Sequence, residues 1–102
     1  MSEHTLKLTY DCDRPELYIE GMQVEYGMLV KPHELIQALE IPCAYVVCIV
    51  YADGREQDYR IVGKQRDFIQ AVPVRNTRAQ GFKDAGSITE LTLKDAKQFH
   101  IW

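Results

Sequence analysis

Three histidines and three cysteines are the residues of this chain best suited to metal binding or nucleophilic chemistry. They are His4, His33, His100, Cys12, Cys43 and Cys48. No CxxC or HxxxH spacing connects them, so the sequence predicts no metal site. The apolar stretch around Cys43 and Cys48 is expected to raise the pKa of both thiols, which makes them poor nucleophiles. Because nucleophile elbows, phosphate-binding glycine loops and dinucleotide fingerprints are also missing, we expect neither enzymatic activity nor a bound cofactor.

Basic residues interleaved with aromatic residues occupy the stretch from Lys64 to Lys83. They are Lys64, Arg66, Phe68, Arg75, Arg78, Phe82 and Lys83. This composition suits phosphate contact combined with base stacking, so nucleic-acid binding is one hypothesis for the chain. The net charge of −3 and the pI of about 5.5 argue against it, because nucleic-acid-binding domains are generally basic.

Side chains suited to a protein interface occur in two places. They are Tyr45, Val47, Ile49 and Tyr51 in the central apolar run, and His100, Ile101 and Trp102 at the last positions. Since aromatic residues dominate interface energetics, we predict a small non-enzymatic binding module that acts through protein–protein interaction and self-associates as a homodimer. The competing interpretation is that these side chains belong to the core. A third hypothesis is the binding of a small molecule in the mouth of a barrel.

The elements that must position these residues centre on residues 41–62. An apolar run and a mostly polar run are separated there by Asp53 and Gly54, a pair typical of a two-residue β-hairpin loop. That loop length predicts a register in which Val47 pairs with Arg60. The face expected to meet the main core then carries Val46, Cys48, Val50, Tyr59 and Ile61. The stripe from Tyr45 to Tyr51 lies on the opposite face, where a helix of this chain or a second subunit must cover it.

Alternation of apolar and polar residues predicts further strands on both sides of this hairpin. They are placed at residues 5–10, 17–19, 22–26, 68–74, 87–93 and 98–102. One helix is predicted over residues 32–40, because Pro32 suits the first helical position and Leu35, Ile36 and Leu39 share a face. Residues 75–86 are predicted to form a long polar loop, and residues 94–97 a single helical turn.

These patterns predict one domain over residues 1–102 of the α+β class, mostly β. We expect an antiparallel sheet or an SH3-like small barrel in the C-terminal half, an N-terminal β-meander and the one short helix. No apolar run approaches the roughly 20 residues that cross a bilayer. The absence of a visible secretory signal and the odd number of cysteines favour the cytoplasm, so we expect a soluble protein without membrane association.

Overall fold

The computed structural model describes residues 4–11, 17–39, 46–77 and 81–102, and these ranges contain ten strands and one helix. The elements are β1 (Leu6–Tyr10), β2 (Tyr18–Ile19), β3 (Met22–Gln23), β4 (Leu29–Val30), α1 (Pro32–Ala38), β5 (Val46–Tyr51), β6 (Glu56–Lys64), β7 (Ile69–Thr77), β8 (Gly81–Asp84), β9 (Thr89–Leu91) and β10 (Ala96–Ile101). The predicted α+β, mostly β class is confirmed. In the described part of the chain, no helix is long and apolar enough to span a membrane.

Eight of the strands form one sheet in the order β4-β1-β10-β5-β6-β7-β8, with β9 also pairing with β7. Strands β1 and β10 run parallel, whereas the other neighbours in this sheet are antiparallel. Because β4 and β8 end the order on opposite sides, the sheet is open and the predicted SH3-like barrel is wrong. The predicted N-terminal meander is also wrong, since β2 and β3 form a separate two-stranded sheet while β1 pairs with β4 and β10.

The hairpin of β5 and β6 has a three-residue loop instead of the predicted two-residue loop. The backbone N–H of Tyr51 donates to the carbonyl of Arg55 at 2.8 Å, and the N–H of Gly54 donates back to the carbonyl of Tyr51 at 2.9 Å. Gly54 has a φ of 94°, in the left-handed region that glycine accepts without steric cost. A turn followed by one left-handed residue is a common three-residue hairpin loop.

The longer loop shifts the register by one residue and decides which face of the hairpin meets the core. Val47 lies opposite Tyr59, not opposite Arg60 as predicted. Both Val47 and Tyr59 are buried, together with Ile49 and Tyr51 on the same face. Of the residues predicted to face the main core, Tyr59 and Ile61 of β6 do so. Those of β5 lie on the opposite face, across from charged residues of β6; these pairs are Val46 with Arg60, Cys48 with Asp58, and Val50 with Glu56.

Residues 75–86, predicted as a polar loop, contain the end of β7 and all of β8. In this second hairpin Arg75 lies opposite Lys83. A loop was predicted there because charged residues and glycine have low β-propensity. Residues 94–97, predicted as a helical turn, instead enter β10 from a tight turn in which the N–H of Ala96 donates to the carbonyl of Leu93. Leu93 has a positive φ of 64°.

Helix α1 begins at Pro32 as predicted and ends at Ala38, one residue before Leu39 becomes extended. The Nζ atom of Lys64 donates to the carbonyls of Gln37, at 2.9 Å, and Leu39. These bonds satisfy acceptors that the end of the helix leaves open. The end of β6 therefore holds the C-terminal end of the helix.

The predicted break between the two short N-terminal strands is confirmed as a tight turn. Glu20 and Gly21, which connect β2 to β3, both have positive φ, at 53° and 79°. Two consecutive positive φ values define a type I′ turn, whose twist matches that of the flanking strands.

A single hydrophobic core lies between one face of the large sheet and the elements that cover it, which are α1 and the N-terminal hairpin of β2 and β3. Its buried side chains from outside the large sheet are Leu17, Ile19, Val24, Leu35, Ile36, Leu39 and Leu93. They share a single buried cluster with the sheet residues Leu8, Val47, Ile49 and Phe99. Each of the last four side chains has no exposed surface. We call this side of the sheet the core face and the opposite side the second face.

Candidate functional site

A row of side chains crosses the second face of the sheet from β1 to β8. In register order its members are Thr9, His100, Cys48, Asp58, Val74 and Asp84. Residues that are directly opposite on neighbouring strands have Cβ atoms about 4.5–5.5 Å apart, so each side chain can contact the next. Six strands therefore contribute to one row, although no local motif in the sequence marks it.

At the β1 end of the row, Thr9 and His100 are hydrogen-bonded. The Oγ1 atom of Thr9 lies 2.7 Å from Nδ1 of His100, and it accepts a bond of 2.9 Å from the side-chain amide of Gln98. Since Thr9 already accepts from Gln98, its own hydrogen can be donated to Nδ1, which favours the imidazole tautomer that carries its hydrogen on Nε2. That Nε2 atom lies 4.0 Å from the Asp11 carboxylate.

The arrangement of Thr9, His100 and Asp11 resembles the order of groups in a nucleophilic site, but the burial of Thr9 does not fit that role. The Thr9 residue is 2% exposed, so its hydroxyl group cannot reach a substrate. Its hydrogen bond instead orients the His100 ring on the second face.

The middle of the row is held by the Asp58 carboxylate. Oδ1 of Asp58 accepts a hydrogen bond of 2.9 Å from the indole Nε1 of Trp102, and Asp58 lies directly opposite Cys48 on the neighbouring strand. Burial, together with the nearby negative charge of Asp58, raises the pKa of the Cys48 thiol to about 11. The predicted rise in the pKa of this thiol is therefore confirmed, and the thiol is protonated near neutral pH.

Three rings meet above this carboxylate. The Trp102 ring packs edge-on against His100, with centroids 4.7 Å apart, and lies 6.4 Å from the Phe82 ring on β8. Trp102 remains 42% exposed. Beside the rings, the Arg60 guanidinium donates to both oxygens of Asp84, at 3.3 and 2.8 Å. We refer to His100, Trp102 and Phe82 as the aromatic cluster.

The predicted interface residues divide between the two faces. Val47, Ile49 and Ile101 are fully buried and Tyr51 is 9% exposed, all within the core of this chain. His100 and Trp102 lie together in the aromatic cluster. Tyr45 lies outside the described residues. The structure therefore brings part of the predicted set to a surface and places the remainder in the core.

The predicted nucleic-acid contacts are separated by the length of β7. Lys64, Arg66 and Phe68 lie at the end of β6 and in the connection to β7. Arg75, Phe82 and Lys83 lie near the other end, where β7 pairs with β8. At about 3.3 Å per residue, the seven steps from residue 68 to residue 75 span roughly 23 Å. Arg78 lies outside the described residues.

The three histidines occupy separate environments. Nε2 of His4 bonds to the carbonyl of Ala96 at 2.6 Å, His33 is exposed on α1, and His100 belongs to the aromatic cluster. Among the described residues, no three histidine, cysteine or acidic side chains are grouped closely enough to hold a metal ion.

Two features of the surface were not predicted from the sequence. One is a set of exposed apolar side chains outside the aromatic cluster: Tyr18, Met22, Tyr26, Leu29 and Ile88. The other is a cavity of about 570 Å³ beside Tyr51 and Tyr59, next to the β5–β6 loop. The exposed apolar side chains could have been predicted from single apolar residues that alternate with polar ones. The cavity could not, because the segments that line it are distant in sequence.

Comparison with known proteins does not add to this description. No protein-family model, no curated protein and no solved structure matches the chain.

Proposed function

We propose that this chain is a small binding module that acts through protein–protein contact and self-associates through the aromatic cluster and the neighbouring strand β8. The observation that carries the proposal is the position of Trp102, which is 42% exposed while its Nε1 atom is bonded to Asp58. Tryptophan is enriched among residues that contribute most to binding energy at protein interfaces.

Contacts within the chain restrain the aromatic cluster. A hydrogen bond to Asp58 and ring contacts with His100 and Phe82 restrain the Trp102 side chain. Ordering a flexible side chain on binding costs about 0.5–1.5 kcal/mol, so a restrained ring avoids part of that cost. These contacts favour use of the second face for binding.

Strand β8 supplies the second half of the proposal. It ends the sheet order and pairs with β7, so within the described residues its other edge has no neighbouring strand. The edge of a sheet can pair with another chain through its backbone N–H and C=O groups, and we assign this role to residues 82–84. Phe82 lies on this strand, so antiparallel pairing of two β8 strands would place two aromatic clusters on one continuous surface.

Size-exclusion chromatography with light scattering, over a range of protein concentrations, tests self-association. We expect a mass that approaches twice the 11.8 kDa of the chain as concentration rises. Phe82→Asp introduces a charge at the proposed contact and should give monomers. Leu29→Asp is the matched control, because Leu29 is 67% exposed on β4 at the opposite edge of the sheet.

Two results would contradict the proposal. A monomer at every concentration would rule out self-association, and equal dimerisation of the two variants would place the contact elsewhere. Melting curves of both variants should be recorded in parallel, so that loss of dimer is not confused with loss of the β7–β8 hairpin.

Nucleic-acid binding is a second candidate because of the cross-strand pair of Arg75 and Lys83. Both side chains are exposed and lie directly opposite each other, an arrangement of like charges that is destabilising without a counterion. Fluorescence anisotropy with a labelled oligonucleotide would test this candidate. Phosphate contact requires affinity to fall steeply with salt and to weaken in Arg75→Gln, whereas a response to neither change would exclude it.

A further inference from the structure

A cavity of about 570 Å³ lies beside the β5–β6 loop and the connection from β9 to β10. Its lining residues are Tyr51, Arg55, Glu56, Gln57, Tyr59 and the segment from Thr89 to Leu93, together with Asp95. Small-molecule sites commonly have volumes of roughly 300–1,000 Å³. The N–H of Ala52 donates to the carbonyl of Asp95 at 2.8 Å, so the two segments that frame the cavity are bonded to each other.

The wall of the cavity contains a pair of buried tyrosines. The hydroxyl groups of Tyr51 and Tyr59 lie 2.8 Å apart, and the two residues are 9% and 7% exposed. One mutual hydrogen bond uses one of the two hydroxyl hydrogens. The other has no acceptor among the described residues, so the pair can donate to an oxygen atom of a ligand.

The charges around the cavity favour a cation. Its lining contains the acids Glu56, Glu90 and Asp95 and one base, Arg55. The Nε atom of Arg55 is bonded to Asp53 at 2.7 Å, which offsets much of its charge. The same guanidinium lies 4.9 Å from the centre of the Tyr51 ring, so this wall already accommodates one cation of the chain itself.

One residue that lines the cavity has an unusual backbone conformation. Leu93 is 2% exposed and has a positive φ of 64°, which is rare for a bulky residue. Such strain is found preferentially at functional sites, where the surrounding structure maintains it.

We propose that this cavity binds a small hydroxylated organic cation of the amino-sugar or amino-alcohol class. A ligand oxygen accepts from the tyrosine pair, and the ligand ammonium lies near Asp95. This site is separate from the aromatic cluster and does not depend on self-association.

The test uses three probes that share one ring and differ in charge: glucosamine, glucose and glucuronate. Each is titrated into ¹⁵N-labelled protein at slightly acidic pH, and amide shifts are followed. We expect glucosamine to bind most tightly and to shift the amides of residues 51–59 and 89–95. Absence of binding, shifts confined to other residues, or preference for glucose or glucuronate would overturn the proposal.

Three exposed side chains allow the charge argument to be tested without touching the core. Asp95→Asn should weaken glucosamine binding about fivefold, as expected for the loss of one partly exposed charge contact. Arg55→Gln should strengthen glucosamine binding, because a competing cation is removed from the cavity wall. Glu25→Gln removes an exposed acid in the β3–β4 connection that is not part of the cavity lining, so it is the control and should have no effect. Equal affinity of Asp95→Asn and the unaltered protein, or unchanged or weaker binding in Arg55→Gln, would overturn the proposal.

Discussion

The two faces of the large sheet are built from alternate residues of the same strands, yet different interactions hold them. On the core face, Phe99 lies opposite Ile49, and both are fully buried among apolar side chains. One residue further along, His100 lies opposite Cys48 on the second face. On this face Thr9 is hydrogen-bonded to His100, and Trp102 donates a hydrogen bond to Asp58. The core face gains free energy from buried area, whereas the second face depends on particular donors and acceptors.

The largest expected effect comes from the core face. Phe99→Ala should lower the free energy of unfolding by about 3–5 kcal/mol, because it removes a fully buried ring and leaves a cavity. Chemical denaturation followed by fluorescence would measure the loss. Gln98→Ala is the control on the second face, where one hydrogen bond to Thr9 is lost at a cost of about 1 kcal/mol. Similar losses in the two variants would contradict the proposed difference between the faces.

A smaller effect should appear on the second face at alkaline pH. The pKa of Cys48 is raised in the folded protein from 9.0 to about 11, so the folded state retains its proton where the unfolded state loses it. The stabilising contribution is complete below pH 9 and is lost as pH rises to about 11. We expect a loss on the order of 1 kcal/mol.

Thermal unfolding between pH 8 and pH 11 would measure that loss. The Cys48→Ala variant should show a shallower decrease in melting temperature than the unaltered protein over this range. Burial also raises the pKa of Tyr51, so part of the decrease above pH 10 should remain in the variant. Identical pH profiles would show that the Cys48 thiol is not the responsible group.

The smallest effect should come from the ion pair of Arg60 and Asp84 at the far end of the row. Their side chains are 47% and 54% exposed, and exposed ion pairs contribute about 0.2–1 kcal/mol. Asp84→Asn should therefore cost less than 1 kcal/mol, and added salt should reduce the difference. A loss of several kcal/mol that does not change with salt would contradict this prediction, because it would mean that the ion pair contributes to the free energy of unfolding as much as a buried core residue does.

Local features of the fold were predictable because their causes are local. Pro32 at the first helical position and the shared face of Leu35 and Ile36 indicated α1, and Glu20-Gly21 indicated the turn between β2 and β3. Each signal lies within a few residues of the element that it specifies. No interaction with a distant segment was needed to recognise them.

The predicted register of the central hairpin was wrong because the Asp53-Gly54 pair is compatible with both a two-residue and a three-residue loop. Both loops place a glycine at positive φ, and they differ in whether Ala52 belongs to a strand or to the loop. The structure places Val47 and Tyr59 on the core side together, which the three-residue loop permits. Apolar residues on both faces of β5 made the alternation too weak to decide between the two registers.

The candidate site was the least predictable part of the molecule. Trp102 and Phe82 were assigned to different hypotheses, one to a protein interface and the other to nucleic-acid contact. Their rings meet because β10 and β8 belong to one sheet, in which three other strands lie between them. That arrangement is set by strand order, for which periodicity in a single strand carries no information.

The position of β10 has a consequence for the order of folding. This strand lies between β1 and β5, and its bond from His100 to Thr9 joins residues separated by 91 positions. Closing such a long loop is entropically costly, so we expect the β5–β6 and β7–β8 hairpins to form early and β10 to insert late. Until it does, β1 and β5 both present open edges, and the half-assembled sheet is the state most exposed to aggregation.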